Sequence, residues 1–490
     1  MYMCRETLRR AVVQAFNDRK GWDCQTFDEL YNRIQDKAEA NEIINGLKIC
    51  DPSVGSGHFL VSALNELIAI KSDLEILCDE QGRALRDYSV RVESDELVIT
   101  DEDGELFSYR PKNVKSLRVQ KTLFEEKRRI IENCLFGVDI NPNSVSICRL
   151  RLWIELLKHA YYTDSETRIL ETLPNIDINI KPGNSVISRY PIELDIQPLL
   201  KKAGYTIEQY REAVQAYREA VLKDEKWELE RFIQQLKMDL RSEISAENPL
   251  LAKRAEKEKA WQELRQAIIV STGDAVRDRR DRELRNQRDA KLKREIEALT
   301  EQIEAEKSGL IFRTALEWRF EFPEVLDAEG NFIGFDVIIG NPPYVRQEEI
   351  KAFKPYLKEL FSTYTGVADL FVYFYELGLR LLKPGGYLTF ISSNKYFRAG
   401  YGEKLRRLLA EETTIANLID FGDFPVFEEA IAYPSIITLR KVKPAADQVV
   451  RALSWDGSKL GDVKEFGAVL GSSGLDLRTG GADGGWLAVG

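Results

Sequence analysis

Short apolar runs alternate with segments of helical period along most of this chain, and that alternation sets the expected fold. Leu47 to Cys50 predicts a buried strand, Asp51 to Gly57 (DPSVGSG) a tight turn, and His58 to Ile70 an apolar helix. A helical pattern from Arg5 to about Glu42 precedes them. Leu135 to Asp139 predicts a second strand, followed by a turn at Asn141-Pro142 and a long helix, and DINIKPGNSVI predicts a third strand ending near Gly183. Farther along, FDVIIG predicts a strand, ADLFVYFYELGLRLL a helix, KPGG a turn, and YLTFISS, IANLIDFG and PSIITLRK further strands. This rhythm predicts an α/β fold with a Rossmann-like, mostly parallel, doubly wound sheet whose ligands sit at the carboxyl ends of the strands.

Two stretches break the rhythm. DYSVRVESDELVITDEDGELFSYRP reads as a β-hairpin or small meander, an insertion over about 79–116. Residues 199–312 read as a long antiparallel helical arm, with Leu229, Ile233, Leu236, Leu240 and Ile244 at helical spacing, then Leu292, Ile296, Leu299 and Ile303. The mixed charges of these helices are those of a solvated helix face. The expected organisation is therefore a first part of the α/β domain over 1–198, the arm over 199–312, and a second part over 313–442. A Gly-rich tail over 443–490, without periodicity, reads as a linker or the incomplete start of a further domain.

Composition narrows the chemistry. The chain has 490 residues, 44% of them hydrophobic, enough for two or three domains. Its six cysteines form no CxxC pair, so neither a zinc knuckle nor a disulfide framework is expected. Only His58 and His159 are present, which leaves little room for histidine metal sites or Ser-His-Asp hydrolysis. No apolar run reaches the length that spans a bilayer, and MYMCRETLRR lacks the features of a secretory signal, so the expected setting is cytoplasmic. The net charge of -10 argues against a surface basic throughout, although charge acts locally.

The turns at the predicted strand ends carry the candidate chemistry. Gly55 and Gly57 let backbone approach a ligand closely, and the helix that follows offers amide donors. The dinucleotide pattern is not met, because its third glycine is missing and Pro52 follows the acid directly. Asp51 suits an ammonium or hydroxyl group better than a pyrophosphate, and Asp139 stands where an acid accepts hydrogen bonds from ribose hydroxyls. Helix capping by the two acids is the plain alternative for each residue alone. The strand FDVIIG runs into Asn341, Pro342, Pro343 and Tyr344. The prolines supply no N–H, so the Asn341 amide oxygen and the Pro342 carbonyl are two acceptors for one planar amino group. Two acceptors favour positive charge on an otherwise poorly nucleophilic ring amine, and Tyr344 provides a flat face to stack on. A sulfonium methyl is an electrophile that needs no strong general base.

The segments DPSVGSGHFL, GVDINPNSV, IKPGNSVI, FDVIIGNPPY and FGDFPVFEEAIAYPSIITL, in this order, resemble the motifs of gamma-group adenine-N6 DNA methyltransferases. The likeness runs from about Arg5 to Lys441. It is to the methyltransferase part of type IIG restriction-modification enzymes and to phage-exclusion (BREX-type) methyltransferases. The resemblance implies a class I S-adenosylmethionine-dependent methyltransferase fold, with S-adenosyl-L-methionine as cofactor and no metal. Asp51, Pro52, Gly55, Gly57 and Phe59 would line the cofactor's methionine side, Asp139 would hold its ribose, Ile140 would pack on its adenine and Asn184 would meet that ring's amino group. Asn341, Pro342, Pro343 and Tyr344 would grip an adenine flipped from double-stranded DNA, with Phe427 on its other face and Lys395 and Arg398 at phosphates. Restriction or defence partner subunits are implied, and no membrane. The family's aromatic-Thr-Pro motif is not found before the first helix, nor is a target-recognition domain or a nuclease. A protein-glutamine methyltransferase and a catalytically silent binding subunit are the competing readings.

Overall fold

Apolar residues at alternate positions give each strand two buried faces, and in the structure those faces split between two cores. The computed structural model describes residues 1–164, 169–171, 175, 179–194, 197–220, 222–246, 249–266, 275–308, 312–422, 424, 426, 433–445, 449–455, 475–479 and 486–488. The elements that frame the site are α1 (Tyr2–Lys20), β1 (Ile49–Asp51), α2 (His58–Asp73), β2 (Leu135–Asp139), α3 (Pro142–Leu157) and β3 (Ile180–Pro182). Two arm helices, α4 (Pro249–Gln266) and α5 (Ala275–Ser308), come next. They are followed by β4 (Phe335–Gly340), α6 (Phe371–Leu381), β5 (Leu382–Ser393), β6 (Thr414–Asp420), β7 (Pro434–Arg440), β8 (Val449–Ser454), β9 (Leu475–Thr479) and β10 (Trp486–Ala488).

These strands form one sheet in the order β10-β9-β8-β6-β7-β5-β4-β1-β2-β3. From β3 to β5 all neighbours are parallel, with Cys50 opposite Phe136 on one side and Ile338 on the other. Strand β7 runs antiparallel between β5 and β6. The strand order turns back on itself between β1 and β4, the place where an open sheet leaves a crevice beyond its carboxyl ends. Ile49, Leu135, Val337 and Ile339 pack under α1 and α2 in one core. Cys50, Phe136, Phe335 and Ile338 pack with Trp318, Phe371 and Leu377 in the other. Val337 and Ile339, two apart, share a face as the pleat requires, while Phe335 turns to the other core across the register shift between Phe335 and Val337.

Within the expected hairpin the chain reverses at Ser94 and Asp95, both with positive φ, and the Asp-Gly cluster forms a second turn. The first of these turns lies on α2, where Asp95 accepts from Ser62 Oγ at 2.6 Å. The structure differs from the sequence pattern at two other places. KPGG is not a turn before a strand but a bulge inside β5: Phe335 pairs with Leu382 while Val337 pairs with Tyr387. In the tail read as aperiodic, Val449–Ser454 pairs in parallel with β6. Its alternation, Val-Val-Arg-Ala-Leu, is too brief to stand out beside the glycines around it.

Candidate active site

Strand β1 delivers Asp51 to the crevice, and the turn that follows is held from three sides. Asp51 Oδ1 accepts from the Ser53 backbone N at 2.9 Å, Val54 N donates to Val138 O at 2.8 Å, and Gly55 N donates to Asp139 Oδ2 at 2.9 Å. Gly57 has φ 85°, and a Cβ there would lie 2.6 Å from Cys148 Sγ of α3, so only glycine fits. Helix α2 starts from Gly57 without a side-chain cap, and its first-turn N–H groups are offered at the mouth of the turn. Phe59, in that first turn, is partly buried.

Asp139 ends β2. Its Oδ1 accepts from Asn141 N at 2.8 Å, and Asn141 in turn caps α3 ahead of Pro142. Both carboxylate oxygens thus shape the turn while each keeps a second acceptor position. Ile140, beside it, is 55% exposed and so available to a ligand. Asn184 is buried after β3, and its Oδ1 accepts from Val186 N at 3.2 Å, which bends the chain on itself. The next residue, Ser185, donates to Pro52 O at 2.5 Å and accepts from Trp318 Nε1 at 3.1 Å. Trp318 follows the arm in sequence, so the return from the arm braces the glycine turn.

Strand β4 lies directly beside β1, and its end carries Asn341, Pro342, Pro343 and Tyr344 into the same crevice. The approach is close. A Cβ on Gly340 would sit 2.5 Å from Asp51 Oδ1, and Ser53 Oγ donates to the Asn341 carbonyl at 3.0 Å. The turn expected at a donor and the loop expected at an acceptor are therefore in contact, although 288 residues separate Ser53 from Asn341. Asp51 Oδ2 and Asn341 Oδ1 are buried with no hydrogen-bond partner among the described residues. Buried acceptors are rarely left so, and two of them at the ends of paired strands fit a ligand that brings N–H donors and positive charge. Burial pushes the Asp51 carboxyl up to about 7, with the Asp139 charge adding to it and the Ser53 N–H working against it. Burial likewise raises the Tyr344 phenol, with Tyr375 adding, so it stays a neutral, flat side chain.

The remaining candidates divide. Lys395 and Arg398 are exposed, the former 5.9 Å from the Tyr433 ring centroid. Of the neighbouring cations, Arg406 is buried and donates to Tyr396 O at 2.6 Å, while the exposed Lys404 donates to Tyr364 O at 2.8 Å. Phe427 lies outside the described residues. Ser53, Ser185 and Trp318 are site residues that sequence reasoning misses. Each acts through one or two hydrogen bonds, and nothing in residue spacing marks it.

Five parallel strands, the antiparallel β7 inserted between β5 and β6, a glycine turn after β1 and acids ending β1 and β2 define a class I S-adenosylmethionine-dependent methyltransferase fold. A profile of the Eco57I restriction-modification methylase matches residues 133–427, and the chain belongs to that family. It is similar to a candidate type II restriction enzyme and methyltransferase of Methanocaldococcus jannaschii, RM.MjaORFECS2P, at 27% identity across 92% of this chain and 35% of that protein. It also resembles the type II restriction enzyme and methyltransferase RM.Eco57I of Escherichia coli, at 34% identity over 22% of this chain and 11% of that one. The chain thus spans about a third of the length of the first relative and less of the second. Among solved structures, the ATP-dependent Type ISP restriction-modification enzyme LlaBIII bound to DNA overlays 99% of this chain and 22% of its own at a TM-score of 0.42, with 11% identity.

Proposed function

We propose that this chain transfers a methyl group from S-adenosyl-L-methionine to the N6 amine of an adenine flipped out of duplex DNA, as part of a cytoplasmic restriction or defence system with partner subunits. The observation that carries this reading is the pair of unsatisfied buried acceptors, Asp51 Oδ2 and Asn341 Oδ1, on the ends of neighbouring strands. When bound, the cofactor supplies a sulfonium-activated methyl group. Asp51 would meet the cationic methionine end, Asp139 the ribose hydroxyls, and Ile140 and Asn184 the cofactor's adenine.

Asn341 Oδ1 and the Pro342 carbonyl accept the two amino hydrogens of the target base. That draws the nitrogen lone pair out of the ring and stabilises the charge that builds as the N–C bond forms. Tyr344 stacks on the base and holds its nitrogen in line, and Phe427 would close the opposite face. The methyl–sulfur bond would break as the N–C bond forms, leaving a neutral thioether, and the nitrogen then keeps one hydrogen and gives the other as a proton to solvent water. Lys395 and Arg398 meet the nearby backbone phosphates.

The test is transfer of labelled methyl from the cofactor to unmethylated genomic DNA, followed by sequencing for N6-methyladenine. Asn341→Ala should lower the rate by about 10²-fold or more while cofactor affinity changes little. Label recovered on protein glutamine, or no cofactor heat in calorimetry, would defeat the proposal.

A further inference from the structure

The first part of helix α5 is basic in a chain that is acidic as a whole. Against a net charge of -10, residues 275–294 of α5 hold nine Lys or Arg and four Asp or Glu. Helix α5 packs on α4 through one side: Trp261 Nε1 donates to Asp289 at 2.8 Å, Arg285 donates to Leu264 O at 2.7 Å, and Lys257 pairs with Glu295 at 2.9 Å. At roughly 100° per residue, Arg280 and Arg294 fall on the side turned away from those contacts, Lys291 on its flank, and Arg288 at the near edge, between Arg285 and Glu295, so the four form a stripe running from the outer side to the margin of the packed side. All four are exposed.

Among the described residues no carboxylate lies within ion-pair distance of Arg280, Arg288 or Arg294. Glu295, one turn beyond Lys291, is held by Lys257. A face that is merely solvated alternates its signs at i,i+4, which gains a few tenths of a kilocalorie per pair. Here Arg288, Lys291 and Arg294 follow one another at i,i+3 with like charge, an arrangement that weakens an isolated helix and calls for an external anion. The row from Arg280 to Arg294 is about 21 Å long at 1.5 Å per residue, and a duplex presents a phosphate charge about every 1.7 Å of its axis.

We propose that this face of α5 is a second DNA contact, gripping the phosphate backbone of the duplex away from the flipped base. The choice of DNA as the polyanion rests on the methyltransferase reading above, but the grip itself is independent of base sequence. It would let the arm hold the duplex while the crevice searches for its target, with affinity set by charge count and salt.

The experiment measures binding of the full chain to a generic 40-base-pair duplex as a function of salt. The comparison is with the quadruple variant Arg280→Gln, Arg288→Gln, Lys291→Gln and Arg294→Gln, in which glutamine keeps helix propensity. The slope of log K against log salt should flatten by about three to four, close to 0.9 for each phosphate no longer neutralised. A second variant, Arg280→Lys, Arg288→Lys and Arg294→Lys, keeps the charge and should keep the wild-type slope. Helix content by circular dichroism and cofactor affinity should stay the same in both. A quadruple variant with the wild-type slope overturns the arm's role in DNA binding and leaves the methyltransferase reading standing if DNA is still methylated. A flattened slope in a chain that binds no cofactor supports the arm's role and sinks the methyltransferase reading.

Discussion

Gly340 offers the sharpest perturbation of the crevice, because it is buried, lies in a strand, and touches the site through a single side chain. In Gly340→Ala the new Cβ would meet Asp51 Oδ1 at 2.5 Å and Asp51 Cγ at 3.1 Å. Ordinary contact requires roughly 3.4 Å or more, so the ends of β1 and β4 must part by close to an ångström or Asp51 must turn. Turning Asp51 breaks its 2.9 Å bond from Ser53 N. Either way the cost is that of overpacking, about 1–3 kcal/mol. Because Asp51 is expected to meet the cofactor's cation, affinity for S-adenosylmethionine should fall about 10- to 100-fold, at 1.4 kcal/mol per decade. A double-mutant cycle isolates the cause. In an Asp51→Ala background the obstructing carboxylate is gone, and adding Gly340→Ala should cost less than about 0.5 kcal/mol. Urea unfolding followed by circular dichroism gives the stabilities, and calorimetry gives the affinities. Equal stability costs in the two backgrounds would show that the collision with Asp51 is not what makes glycine necessary.

Two more outcomes follow from the same turn. Burial raises the Asp51 carboxyl to about 7, so below that pH the free protein holds it neutral, and binding a cation there requires a proton to leave. Affinity for the cofactor should therefore fall as pH drops, by about fivefold between pH 7 and 6 and about tenfold between pH 8 and 6, and be nearly steady above pH 8. Asp51→Asn should bind weakly at every pH with a flat profile, and equal wild-type dissociation constants at pH 6 and 8 would contradict the assignment. Removing the Ser53 hydroxyl takes away the 3.0 Å bond that ties the glycine turn to Asn341. Ser53→Ala should lower kcat about three- to tenfold, the worth of one hydrogen bond, with the cofactor dissociation constant within twofold and with Ser53→Thr restoring the rate.

The strand-turn-helix units at Asp51 and Asp139 are legible in sequence because the periods of two and 3.6 change at residues that also make turns. The parallel sheet follows from that alternation. The Asn-Pro-Pro-Tyr loop stands out because prolines cannot continue a strand. What stays hidden depends on which strands become neighbours. Ser53 meets Asn341 only because β1 lies beside β4, and no local pattern encodes a pairing across 288 residues. The cation row around Arg398 is legible as charge but not as orientation: the buried Arg406 and the exposed Arg398 look alike until helix packing is known. Ser94 and Asp95 take the hairpin turn although neither is glycine, because the antiparallel register from Glu93 and Glu96 outward leaves only those two residues to reverse the chain.

The direct pairing of β1 with β4 has a further consequence for how far a transferred group can travel. In the proposed reaction, donor and acceptor would each be anchored to the end of one of these strands, and adjacent strands sit about 4.8 Å apart under the control of ladder hydrogen bonds. The backbone itself would then act as a ruler, with no lid needed to gauge the gap. Cofactor analogues bearing bulkier alkyl groups would have to gain their room by sliding along the crevice, since spreading it would mean unzipping the middle of the sheet.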